Sequence, residues 1–133
     1  VDPTSAQDAA TKAYVDSLIA LPSGDIPPTS FVPNNNQTTL DDVTGLLFPP
    51  ASVRGFTALV SVSVTADDNS DEIYTLVGIQ ISDGSWVMTV TSTGQETGFN
   101  FDITNAGQVQ YTSLDAAGYV GSNMRFRAQA LPL

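Results

Sequence analysis

The side chains of this chain best placed to do chemistry are its carboxylates. There are 14 Asp and Glu against 4 Lys and Arg, with no His and no Cys. No thiol nucleophile, imidazole base, disulfide or Cys/His metal site is therefore available, which removes most catalytic constellations. What remains is a pair of carboxylates, one as general acid and one as base or nucleophile, the arrangement that cleaves glycosidic bonds. Asp41, Asp42, Asp67, Asp68, Asp71, Glu72, Asp83 and Glu96 nearly all read as turn residues. Asp is favoured in turns because its side chain bonds the nearby backbone. Asp102 falls inside an expected strand. No spacing brings two acids onto one face, so no catalytic residue is assigned and no enzymatic activity is expected. Lys12 offers an amine without a marked hydroxyl partner, and there is no phosphate-cradling Gly loop.

Asp67-x-Asn69-x-Asp71 has the alternating oxygens of a calcium loop, but Glu72 stands where glycine is needed and Gly78 where the closing acid belongs. A solvated turn is the default reading and an irregular calcium site the alternative; no metal ligand or cofactor is assigned. Aromatic rings can stack on sugars. Trp86 shares a strand face with Met88 and Val90, and Tyr111 alternates with Val109, so both read as core. Tyr119, in Ala117-Gly118-Tyr119-Val120-Gly121, reads as an exposed loop aromatic. With Asn69, Asp71 and Asn123 it forms the candidate ligand-binding set. Arg125 and Arg127 project from one face of the last expected strand. Their counter-charges are Asp102 or Glu96 of the same chain, or an acid of another subunit.

A net charge of -10 gives a poor footprint for nucleic acid or anionic membrane, neither of which is an expected partner. No run reaches the roughly 18 apolar residues of a membrane helix, so no membrane insertion is expected. The chain begins at Val1, which points to a processed form or a fragment of something longer.

Three regions position these groups. Residues 1–21 read as a short helix, with Ser5 at the N-cap, Asp8 three residues on, and Ala10, Tyr14 and Leu18 on one face. Residues 22–38 carry Pro22, Gly24, Pro27, Pro28, Pro33 and Asn34-Asn35-Asn36, and read as a connector. Residues 39–133 read as about seven strands separated by turns. Phe56 to Val64 alternates with period two; residues 73–81 look partly buried on both faces; Asp83-Gly84 marks a hairpin. Strands at this spacing without helices predict an all-β fold, an antiparallel, jelly-roll-like β-sandwich.

Residues 2–18 resemble a segment that recurs in phage tail-fibre proteins and in the phage-derived fibres of predatory bacteria. The likeness rests on Asp2, Pro3, Ala6, Asp8, Ala9, Ala10, Thr11, Lys12, Tyr14, Val15 and Asp16. A second stretch of likeness, to a β-rich domain near the ends of such fibres, runs from Asn36 through Val43-Thr44-Gly45-Leu46 to Ser52-Val53-Arg54, and again over Gly107 to Ser113. The resemblance implies a parallel homotrimer, with residues 1–21 as the last stalk element and 39–133 as the tip. Ala10, Tyr14 and Leu18 would meet at a threefold axis, with Arg125 and Arg127 at subunit contacts. It also implies an extracellular place, on a virion tail fibre or a surface or secreted fibre. The tip would be an adhesin for a bacterial or other cell-surface receptor, often a glycan. The alternative is a structural knob that trimerises or caps the fibre without binding a receptor.

Overall fold

The structure, a computed structural model, describes residues 24–133; the expected helix with Ala10, Tyr14 and Leu18 lies outside them. The described chain forms eight strands: β1 (Ile26–Phe31), β2 (Asp41–Leu47), β3 (Val53–Thr65), β4 (Ser70–Gln80), β5 (Trp86–Gly94), β6 (Phe99–Ile103), β7 (Gln108–Ser113) and β8 (Gly121–Pro132). Every pairing is antiparallel. One sheet has the order β1-β8-β3-β4-β5 and the other β2-β7-β6.

The period-two pattern of β3 decides the architecture. Phe56, Ala58, Val60, Val62 and Val64 are buried, while Thr57, Ser63 and Thr65 face out. A strand with one continuous apolar row needs partners on both sides and a second layer over it. β4 and β8 supply the partners, and Tyr74, Leu76, Met124, Phe126 and Ala128 extend the row. The smaller sheet closes the core with Val43, Leu46, Phe99, Val109 and Tyr111. Phe48, in the β2–β3 connection, stacks on Phe56 with centroids 3.8 Å apart. Gly78 makes room for that stack, because a Cβ there would lie 2.4 Å from the Phe56 ring.

Two expectations are corrected. Residues 26–31 of the stretch read as a connector are a strand, β1, paired to β8. Pro27 and Pro28 are tolerated because β1 is an edge, and the register shifts between Ile26 and Thr29 where their missing N–H groups would fall. The jelly-roll expectation holds only for the outer nesting, β1 with β8 and β2 with β7. A jelly roll divides its strands between two Greek keys, whereas β3-β4-β5 is a plain meander and the sheets hold five and three strands.

The Asn run that follows β1 is a clamp. The Asn34 amide donates to the Tyr111 hydroxyl at 2.8 Å, and the buried Ser113 hydroxyl donates to the Asn34 carbonyl at 2.6 Å. The Asn35 side chain donates to Asp115 and accepts from the Ala116 amide. Asn36 takes the left-handed conformation (φ 53°), which asparagine tolerates better than most residues.

Candidate functional site

Five strands cannot be covered by three. β6 is only five residues long, so the inner face of β4 and β5 stays open towards one end of the molecule. There Val90 is 40% exposed although it lies on the same strand face as buried Trp86. The opening is a cleft of about 360 Å³ lined by Glu72, Tyr74, Ser92, Asn100 and Phe101 among others. Across Glu96, Gly98 and Leu114 it adjoins a second hollow of about 400 Å³, bordered by Asp67, Asp68, Ser70, Asp115 and Ala116. The second sits where the β3–β4, β5–β6 and β7–β8 loops meet, and the first borders the latter two. Gly24 and Asp25 are at the opposite end: the Asp25 carboxylate accepts from the Ala130 amide at 2.7 Å.

Glu72 organises the cleft. Its Oε1 accepts from the Tyr74 hydroxyl, from the Thr97 amide at 3.0 Å and from the Thr97 hydroxyl at 2.8 Å. Burial disfavours the Glu72 charge, but hydrogen bonds from Tyr74, Thr97 and Ser92 outweigh it and hold the carboxyl below its ordinary 4.5. For Tyr74, burial first and then the bond to Glu72 push the phenol up to about 12. Glu72 is thus a fixed, ionised acceptor over a floor containing Phe99 and Phe101.

These shifts contribute to the pH response, alongside Tyr111, whose phenol is also pushed up by burial. The raised Tyr74 value gives a contribution complete below pH 10 and lost as pH rises from 10 to about 12. The lowered Glu72 value gives one complete above 4.5 and lost as pH falls through the depressed pKa. Tyr74→Phe is expected to cost about 1.5–3 kcal/mol, the worth of a hydrogen bond to a charged group. It should also make the alkaline limb of a stability–pH curve shallower, leaving the part due to Tyr111. An alkaline limb identical to wild type would refute this role of Tyr74.

The structure disperses the residues singled out from sequence. Asn69 Oδ1 accepts from the Ala66 amide and closes the β3–β4 turn. Asp71 accepts from the Ser63 hydroxyl at 2.7 Å on the outer face of the larger sheet. Asn123 lies across that same Ser63. Tyr119 is half-buried, not exposed: its ring packs on the core and its hydroxyl meets Ser122 at 2.8 Å. The β7–β8 loop folds inward there because the Asp67 amide donates to Ala117 and the Val120 amide to Thr65. Tyr119 and Ser122 line a crevice of about 10 Å³, so the four candidates share an end of the domain but not a cavity.

Asp41 and Asp42 are in β2 and Asp71 and Glu72 in β4, not in turns. Glu72 and Glu96 border one cleft, a juxtaposition made by two strands and a loop distant in sequence. Sequence spacing missed this cleft, although Glu72, two residues before an inward Tyr74, carried a period-two signal for the inner face. Arg125 and Arg127 face out from the larger sheet. Asp102 is on the smaller sheet, paired opposite Gln110, which itself bonds Asp42. Stacked sheets lie about 10 Å apart, so Asp102 is not the counter-charge of either arginine. Among the described residues no group of three or more acids is placed to hold a metal, and no helix is long and apolar enough to cross a membrane.

No protein-family model and no curated protein matches the sequence. Among solved structures, the chain is similar to the tailspike protein of Acinetobacter phage vB_ApiP_P1, with a TM-score of 0.49 and 16% identity over 77% of this chain. The match spans 22% of the tailspike chain.

Proposed function

We propose that this chain is the tip of a trimeric fibre, a non-enzymatic adhesin that recognises a cell-surface receptor, a glycan, through the cleft around Glu72. The observation that carries the reading is the polarity of the domain. The segment that resembles a fibre stalk precedes Gly24, at one end of the sandwich, and the cleft opens among loops at the other. A receptor at the far end of a fibre is met by the surface most distant from the stalk. Fixed acceptors, hydroxyls and a part-exposed aromatic floor suit the hydroxyls and apolar faces of a sugar. Several weak sites on one trimer gain through multivalency.

Glu72 is unsuited to the general-acid role of a glycosidase. A glycosidase acid must hold its proton near neutral pH, and the hydrogen bonds at Glu72 favour the ionised form. The second reading, a structural knob, is favoured by the apolar residues on the outer face of the larger sheet. A glycan array probed with the whole chain separates them. Saturable binding to a related set of glycans, with the bound glycans unchanged in mass, is expected. An array without hits favours the knob, and shortened glycans would overturn the non-enzymatic assignment.

A further inference from the structure

We infer that the outer face of the larger sheet, in the half nearest Gly24, is the surface on which a second copy of this chain packs. The inference rests on the fibre reading and assigns its subunit contact. Residues 73–81, read from sequence as buried on both faces, are buried on one only. Tyr74 and Leu76 point into the core, while Val77 is 48% and Ile79 50% exposed. Strand register sets Leu131, Gly55, Ile79 and Val87 in one row across β8, β3, β4 and β5. Leu131 and Val87 are 67% and 51% exposed. The next row adds Val77. Where Gly55 lacks a side chain the surface sinks into a hollow of about 390 Å³, walled by Val77, Ile79 and Leu131. Contiguous apolar surface of this kind marks a contact, while single exposed hydrophobics do not.

Two observations identify the occupant as a copy of the chain. The first is where the remaining 23 residues attach. Gly24 lies against the core-facing side chains of Val53 and Ala130, at the same end of the sheet as their chain neighbours Arg54 and Leu131, which line the hollow. In the parallel fibre proposed above, the Gly24 ends of the copies lie side by side. The second is charge. Copies carrying -10 each repel wherever acids face acids. The two rows carry no carboxylate; Arg54 lies beside one, and the row beyond the other holds Arg127 with Leu59, Thr75 and Thr91. Towards the loops the same face turns polar, with Asn123, Ser63 and Asp71 in one row and Arg125, Ser61, Ile73 and Thr93 in the next.

Light scattering behind size exclusion tests this on the whole chain. Wild type is expected at 42 kDa, three chains of 14.0 kDa. Ile79→Glu is expected at 14.0 kDa with the Trp86 fluorescence of the folded domain, while Thr91→Glu, nearer the loops on the same face, keeps 42 kDa. The chain has no cysteine, so single cysteines report burial. Leu131→Cys should react with a maleimide at least tenfold more slowly than Asn123→Cys in the oligomer. That labelling decides the matter if Ile79→Glu does not fold. A folded Ile79→Glu that stays at 42 kDa, or equal labelling rates in a 42 kDa oligomer, overturns the interface and leaves the fibre reading standing. A wild type of 14.0 kDa overturns both.

Discussion

Tyr111→Ala is expected to remove about 3–5 kcal/mol of folding stability, the usual cost of deleting a fully buried aromatic side chain. Tyr111 is 0% exposed. Phe31 meets its ring edge-on at 5.7 Å, and Phe99 lies 5.9 Å away. The hydroxyl also takes the Asn34 amide, so truncation leaves a cavity and frees the Asn clamp together. Since domains of this size are stable by only about 5–15 kcal/mol, the loss is a large fraction of the total. Tyr111→Phe separates the two parts. It keeps the ring and should cost about 1 kcal/mol for the lost hydrogen bond. Urea unfolding followed through Trp86, the one tryptophan, measures both. A Tyr111→Ala midpoint equal to wild type would mean that β7 is not the spine of the smaller sheet.

Gly107→Val carries the other large effect. Gly107 closes the β6–β7 turn with φ +80°, and its carbonyl accepts from the Phe48 amide at 2.8 Å. A Cβ there would stand 1.9 Å from the Phe48 carbonyl oxygen. Two costs combine: a β-branched residue held at positive φ, about 1–3 kcal/mol, and displacement of the Phe48 backbone, about 1–3 kcal/mol more. Phe48 cannot yield freely because its ring is stacked on Phe56. Gly84 provides the control. It has φ +88° in the β4–β5 hairpin with nothing within 4 Å of an added Cβ. Gly84→Ala should show the conformational cost without the clash, about 1–2 kcal/mol. Equal losses for Gly84→Ala and Gly107→Ala would show that contact with Phe48 is unimportant.

What was legible in the sequence was what period and turn chemistry fix locally. Val60, Val62 and Val64 alternating with serines, the Asp83-Gly84 hairpin, and Phe126 between two arginines all specified strands whose buried face the structure bears out. Pairing across the chain was not legible. Pro27 and Pro28 looked like a break because an edge strand with a shifted register cannot be told from a connector without its partner. Ile73, Val77 and Ile79 read as partly buried because hydrophobicity marks a strand face as apolar without showing whether the same chain covers it. The cleft was hidden for a third reason. It arises from unequal sheet sizes, and Glu72 from β4, Glu96 from the β5–β6 loop and Asn100 from β6 meet only once two sheets are stacked. Tyr119 was misplaced by the backbone bonds that fold the Gly-rich β7–β8 loop inward.

The proposed receptor site is the cleft around Glu72. Ser92 lies opposite Tyr74 on β5 and lines the cleft, so Ser92→Tyr fills it with a residue that strands favour. Asn123→Ala, on the outer sheet face, leaves it open. The direct measurement is the affinity of wild type and both variants for the strongest glycan found on the array. Ser92→Tyr should weaken binding at least tenfold, about 1.4 kcal/mol, with Asn123→Ala unchanged. Full affinity in Ser92→Tyr would remove the receptor from the cleft, and loss in Asn123→Ala alone would move it to the outer face.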